Sequence, residues 1–367
     1  MPLALVLIAS LAQADAPRQE CIGRTTFEVP EDIQWATYGA ERVTHISDGR
    51  GGHSFSPSVT ARIDYVKYGH DDGWVIKVSD FVTRSDFEAA AGSILWRVGE
   101  TRLERIKEIE TYKDIIADMA GGGFDQAIAG IQEDINAIEQ QLPRKIHEND
   151  LGISDAYFLG GEGTPNKALL WRNNRVYYFG LMKVSDDSAQ RFKDLISRFR
   201  TRNLYEVPEG PGVCLPYGFI ADDGQPPYSI KNSLRFTRTP NVIFTLIAAS
   251  ANDPWQTRPT RGTYDTDYRP GYDGGKWKIS AFNERLYFGK RQAGLEGWRL
   301  DPLPGSGEEE RAWFALAHTG GLDSPLLAVQ MSTFQRGKDD LTDLTPPPEA
   351  VLPRFKALSA SFAETLK

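Results

Sequence analysis

Cysteine is nearly absent: Cys21 and Cys214 are the two in a chain of 367 residues. That number excludes a disulfide-stapled scaffold, which needs several bridges in a short chain. Histidine is scarce as well. His45, His53, His70, His147 and His318 are the five, and no two stand at the i, i+4 spacing of a helical zinc site. The sequence contains no HExxH, no CxxC, no GxSxG and no phosphate-cradling glycine–lysine loop, so the familiar metal, nucleophile and nucleotide motifs are missing. No cofactor and no metal is expected. A basic excess is missing too. The formal net charge is −8, which repels phosphate backbones and makes nucleic acid a poor partner. No apolar run reaches the roughly 20 residues of a membrane-spanning helix, so stable membrane insertion is not expected.

What remains is an ordinary globular composition, 40% hydrophobic and 25% charged, at a length that suits two domains. The chain opens with an apolar run, LALVLIASLA, from Leu3 to Ala12, followed by Ala12-Gln13-Ala14. A short apolar stretch before an A-x-A site reads as a signal peptide over residues 1–14, with the exported mature chain starting near Asp15. A buried N-terminal strand is the alternative. Cys21 is not a lipid-anchor site, because Arg18, Gln19 and Glu20 replace the small apolar residues that would precede one. An exported chain meets oxidising conditions, so Cys21 and Cys214 are candidates for one disulfide. Two separately buried thiols are the other possibility.

Strand-like stretches cover Thr25–Val29, Ala61–Tyr68 and Gly73–Val82, with glycine and aspartate turns between them. Two helices follow. Leu103, Ile106, Ile109, Tyr112, Ile116 and Met119 stripe the first, and Gly121-Gly122-Gly123 ends it. Ile128, Ile131, Ile135, Ile138 and Leu142 stripe the second at spacings of three and four, so the pair predicts an antiparallel helical hairpin packed along an apolar seam. Strands resume at Ala156–Leu159, Ala168–Arg172 and Arg175–Val184, and a helix spans Asp187–Arg200. Prolines and glycines in 203–212 predict a link between domains. Beyond it, strands are expected at Val213–Ala221, Ser233–Thr237, Val242–Ala248, Lys276–Phe282, Arg285–Gly289, Ala312–His318 and Leu326–Thr333, then one C-terminal helix. The fold class is therefore α+β: two domains, 15–202 and 213–367, each a mainly antiparallel sheet with packed helices, and a helical hairpin in the first.

Catalytic constellations are weak. His53 beside Ser54 and Ser56 reads more simply as a polar surface loop, since triads assemble in space and not in sequence. Asp265, Asp267 and Asp273 resemble a calcium loop, but Arg269, Pro270 and Lys276 occupy positions that need an oxygen ligand, a glycine and a glutamate. Carboxylates of an exported hydrolase or carbohydrate-active enzyme cannot be placed from sequence, and that function stays open as an alternative. Residues 251–275 are different. Too long for an ordinary connection, this loop interleaves Trp255, Tyr264, Tyr268 and Tyr272 with Arg258, Arg261 and Arg269. Those residue types dominate protein–protein hot spots, so the seven are the candidate partner-binding residues.

Cys21-Ile22-Gly23-Arg24 followed by Val29-Pro30 resembles the mature start of two-domain periplasmic lipase-immunity proteins of type VI secretion, inhibitors of phospholipase effectors of the fourth lipase group. Gly212, Cys214, Gly218 and Ile220 are similar to the opening of that family's second domain, and Gly289, Arg291, Gly294 and Gly297 to a later glycine–arginine motif. Trp298-Arg299 departs from it, where a glutamate is expected. The resemblance covers nearly the whole mature chain. It implies a periplasmic protein without enzymatic activity that binds a cognate phospholipase effector and occludes its active site or lid.

Overall fold

The computed structural model describes residues 17–39, 53–54, 60–61, 65–69, 72–142, 146–251, 275–308, 312–321, 324–334, 336–337, 341, 343 and 346–364. In chain order the first strands are β1 (Arg18–Ile22), β2 (Thr25–Val29), β3 (Ile33–Trp35), β4 (His53–Ser54), β5 (Thr60–Ala61), β6 (Tyr65–Tyr68) and β7 (Trp74–Phe81). Helices α1 (Arg84–Met119) and α2 (Asp125–Gln141) follow. Next come β8 (His147–Asn149), β9 (Ala156–Gly161), β10 (Thr164–Arg172), β11 (Arg175–Leu181), α3 (Ser188–Arg198) and β12 (Phe199–Thr201). After residues 203–211 come β13 (Gly212–Leu215), β14 (Gly218–Ala221), β15 (Tyr228–Phe236) and β16 (Val242–Ala249). The chain closes with β17 (Trp277–Phe288), β18 (Arg291–Pro302), β19 (Ala312–Gly321), β20 (Ser324–Thr333), α4 (Pro348–Ala360) and β21 (Ala363–Glu364).

One sheet dominates. Its strands run β17-β18-β19-β20-β16-β15-β6-β7-β11-β10-β9-β8, with β3 also paired to β15. Every one of these ladders is antiparallel. The class is α+β. Strands from before and after 203–212 meet where β6 pairs with β15, with Tyr68 opposite Tyr228 and Tyr65 opposite Lys231.

Local chemistry sets the turns and ends. Asn173 and Asn174 both take positive φ, 50° and 54°, between β10 and β11. That is the two-residue turn whose twist matches paired strands, and asparagine tolerates it. Helix α1 starts at a capping box in which Thr83 and Asp86 satisfy each other's backbone N–H groups. Gly121 and Gly123, at φ 82° and 79°, break the chain between α1 and α2.

Two faces of the sheet are buried differently. On one, Val66, Ile76, Phe179, Ile230, Phe244 and Val329 meet Phe192 and Leu195 of α3 and Val351, Phe355 and Leu358 of α4. On the other, Phe87, Ala91 and Ile94 of α1 cover Leu159, Leu169, Val176 and Tyr178. Farther along that second face Ile247, Trp277, Trp298 and Leu300 form another apolar cluster.

Several expectations shift. The first helix begins nineteen residues before Leu103, at Arg84. Val213–Ala221 is a hairpin turning at Tyr217, whose φ is 58°. Lys276–Phe282 and Arg285–Gly289 form one strand, because Asn283 and Glu284 stay in register with Glu296 and Leu295. The β1, β3 and β18 strands add to the set read from sequence. The helical hairpin is present, and of the residues read as its seam Ile109 and Ile135 are buried, Ile106, Tyr112, Ile116, Met119, Ile128, Ile131, Ile138 and Leu142 are half-buried, and Leu103 is exposed.

Candidate binding surface

The N-terminal hairpin and the β13–β14 hairpin are fastened together at Cys21 and Cys214, which form a disulfide with Cα atoms 5.8 Å apart. The backbone repeats the link, since Gly23 N donates to Cys214 O at 2.9 Å and Cys214 N donates to Gly23 O at 2.7 Å. Gly23 is required here. Its φ is 59°, and a Cβ would meet the Tyr228 ring at 2.5 Å.

Beside the disulfide, Arg202 pairs with Glu20 at 2.5 Å, and both side chains are buried. Arg202 also donates through Nε to Leu215 O at 3.1 Å and through Nη2 to Cys21 O at 3.3 Å. The Glu20 carboxylate accepts from Cys21 N at 2.8 Å and from Tyr205 N at 3.0 Å. A buried charge pair persists when its remaining donors and acceptors are satisfied in this way.

A second polar network lies next to it. Arg24 grips Asp222 with both terminal nitrogens, at 2.7 and 2.9 Å, and donates to Pro226 O at 2.9 Å. Such forked pairs fix orientation as well as charge. The Tyr68 hydroxyl donates to Asp222 at 3.1 Å and accepts from Arg198 Nη1 at 3.0 Å. Burial pushes Tyr68 up to about 12, and the Arg198 hydrogen bond opposes that shift. The β1–β2 turn, β6, α3 and the segment after β14 are thereby pinned around one carboxylate.

Arg24 also forms the wall of a cavity of about 410 Å³, lined by Thr25, Asp223, Gly224, Gln225, Tyr228, Ser250, Ala251 and Pro325. That size suits a small ligand or a partner's side chains. The cavity stands at the base of the aromatic–arginine loop, where Ala251 leaves β16. Trp255, Arg258, Arg261, Tyr264, Tyr268, Arg269 and Tyr272 themselves lie outside the described residues, as do Asp265, Asp267, Asp273 and Ser56. Among the described residues no group of three His, Cys, Asp or Glu side chains could hold a metal ion. No described helix is long and apolar enough to cross a membrane.

The motif residues have structural work. A Cβ on Gly212 would lie 2.2 Å from the Phe219 ring, and one on Gly289 would lie 2.6 Å from Phe362 O. Arg291 donates to Pro325 O at 2.6 Å, closing the β19–β20 turn. Sequence reading named Arg24 within its motif but missed Glu20, Arg202, Asp222 and Arg198. Glu20, Arg202 and Asp222 are charges whose partners lie far away along the chain, and Arg198 pairs locally with Asp194 while its bond to Tyr68 spans 130 residues.

No family model matches this chain, and no curated protein matches it. Solved structures do. A chain of the Tle4–Tli4 complex is 12% identical, with a TM-score of 0.50 over 97% of this chain and 99% of that one. Immunity protein TplEi of the T6SS from Pseudomonas aeruginosa, complexed with "L" peptide, is 12% identical, with a TM-score of 0.49 over 97% of this chain and 100% of that one. Its apo structure gives 12% and 0.48 over 97% and 99%. At this identity the likeness to the chain of the Tle4–Tli4 complex is one of fold, and it runs nearly the length of both chains.

Proposed function

We propose that this protein is a periplasmic immunity protein that binds a type VI secretion phospholipase effector and inhibits it by covering its active site or lid. The observation that carries the reading is the full-length fold shared with a chain of the Tle4–Tli4 complex. The Cys-Ile-Gly-Arg and Gly-x-Cys motifs agree with it, and their two cysteines are joined. An oxidising compartment such as the periplasm is where that bond persists. Inhibition by capture needs affinity and no chemistry. Residues 15–202 and 213–367 would act as two units joined at 203–212, with the loop at 251–275 presenting Trp255, Arg258, Arg261, Tyr264, Tyr268, Arg269 and Tyr272 to the effector. The Cys21–Cys214 bond and the Arg24–Asp222 pair limit relative motion of the strands beside that loop, which lowers the entropic cost of binding.

The test is protection of cells. Expressed with residues 1–14, the protein rescues cells from a periplasmic phospholipase encoded beside it; without them it does not. Equal protection from the cytoplasm would defeat the proposal. Trp255→Ala or Tyr268→Ala should weaken effector binding by about 2 kcal/mol or more while leaving thermal stability unchanged.

A further inference from the structure

The main sheet ends in two unlike edges. One is β8, three residues long, and the other is β17, twelve residues long. A short strand offers a neighbour little to pair with, whereas a long edge is a ready template for another strand. Two of the usual defences are missing from β17. It contains no proline, and its register with β18 runs from Trp277 opposite Pro302 to Phe288 opposite Arg291 without a bulge. Register shifts do interrupt the β9–β10, β7–β11 and β19–β20 ladders.

The direction of its backbone groups is fixed. Lys276 O accepts from Leu303 N at 2.7 Å, so the even-numbered residues bond to β18 and the odd-numbered ones turn their N–H and C=O outward. Among the described residues, Ile279, Ala281, Asn283 and Arg285 find no hydrogen-bond partner on that outer side. Ala281, Asn283 and Arg285 are exposed and Ile279 is half-buried, as a bare edge requires. Helix α4 packs on the face of the strand instead, where Leu286 and Phe288 join Val351 and Phe355 in the main core.

We infer that this edge pairs with the same edge of a second copy, antiparallel about a two-fold axis through Ala281. An axis through Ala281, Phe282 or Asn283 would keep most of the strand paired, and charge selects among them. Through Ala281 the axis sets Lys278 of each copy opposite Glu284 of the other. Through Phe282 it sets Lys278 opposite Leu286, and through Asn283 opposite Phe288, so that both charges go unmatched. With the axis at Ala281, Ile279 and Asn283 exchange backbone hydrogen bonds. Lys278 and Glu284 then fall in a non-hydrogen-bonded pair, where side chains stand closest. Both have capacity to spare. Lys278 is exposed and has no ion pair among the described residues, because Asp301 opposite it on β18 is held by Arg299. Glu284 gives Oε2 to Lys356 and keeps Oε1. Carrying both signs on one row makes the edge complementary to itself, as a two-fold contact demands. A strand of unrelated sequence would have to supply both signs at the same spacing. The pairing holds whether or not the chain binds an effector.

The experiment is sedimentation velocity on the purified protein from about 1 to about 100 μM, where a monomer–dimer equilibrium is expected. The amides of Ile279, Ala281 and Asn283 should exchange more slowly at the high concentration. Ala281→Pro removes an outward N–H on the axis, a place where an edge strand tolerates proline, and should weaken the dimer roughly tenfold or more with near-ultraviolet circular dichroism unchanged. Should that variant unfold, Lys278→Glu is judged by the same loss, since it sets like charges opposite each other, and adding Glu284→Lys should restore the dimer. A dimer equally strong in the folded variant, or one that the second charge change does not restore, would overturn the inference. So would a monomer at every concentration, which would leave the edge to another occupant such as a strand of the effector.

Discussion

Arg202 and Glu20 lie 2.5 Å apart with both side chains buried, although 182 residues separate them in the chain. The pair is wired into the backbone of both cysteine strands, through Cys21 N, Cys21 O and Leu215 O. Neutralising one partner leaves the other as an uncompensated buried charge. Glu20→Gln should therefore cost about 3 kcal/mol or more, and Arg202→Met about 3–5 kcal/mol, because the methionine also abandons its carbonyl acceptors. Urea unfolding with an unchanged m-value checks this. A loss below about 1 kcal/mol in both variants would mean that water replaces the lost partner.

The Cys21–Cys214 bond closes 193 residues. Denatured, unreduced protein should show no free thiol, and two thiols per chain would contradict the structure. Chain entropy assigns such a loop on the order of 5 kcal/mol, as an upper figure. Cys21→Ser/Cys214→Ser should lose up to that amount in urea yet keep its far-ultraviolet circular dichroism. The Gly23–Cys214 backbone bonds and Arg202 still join the two hairpins.

Lys167 loses part of its solvent shell on folding and its pKa falls. A lysine lowered in the folded state binds its proton more weakly there than in the unfolded chain. Its charge therefore costs stability below the folded pKa, and the cost fades as pH rises from that value to the ordinary 10.5. Lys167→Met should raise the melting temperature at pH 7 by a few degrees, with the advantage shrinking towards pH 10. A pH-independent gain would assign the effect to packing alone.

Local signals were legible in the sequence wherever one partner set the pattern. The gap at Asn173-Asn174 between two strands, α2, α3 and β16 follow from alternation and periodicity, while β15 was read only from Ser233 and starts at Tyr228. The start of α1 was hidden because its stripe changes partner. Phe87, Ala91 and Ile94 pack on the sheet, whereas Ile109 is buried outside the clusters that cover it, so no single stripe serves its whole length. The β18 strand was hidden by its composition, since Gly294, Gly297, Glu296 and Arg299 dilute the β-formers. The clamp was illegible for another reason. Glu20 with Arg202, and Arg24 with Asp222, are pairs whose members carry no local mark of each other. Only the cysteines, two in a chain read as exported, offered a link between the distant hairpins, with two separately buried thiols as the alternative; the disulfide decides it.

The α1–α2 hairpin should behave as a separate unit of stability. Helix α1 has 36 residues, about 54 Å of helix, and only its first part is anchored to the sheet through Phe87, Ala91 and Ile94. Beyond Leu103 only Ile109 and Ile135 are fully buried among the described residues of the hairpin, the other stripe residues from Ile106 to Leu142 are half-buried, and Leu103, Ile115 and Phe124 are exposed. Two helices joined by a mostly half-buried seam owe much of their order to its few fully buried side chains. Ile135 is 1% exposed, and trimming it to alanine removes about 2–4 kcal/mol of packing. The loss should appear as faster amide exchange in residues 103–141, with the amides of β15 and β16 unchanged, because local opening need not unfold the body. Cleavage at the Gly121–Gly123 turn should rise in parallel. If Ile135→Ala instead accelerates exchange throughout the sheet, the hairpin folds as one cooperative unit with the body and its thin seam is not the weak point.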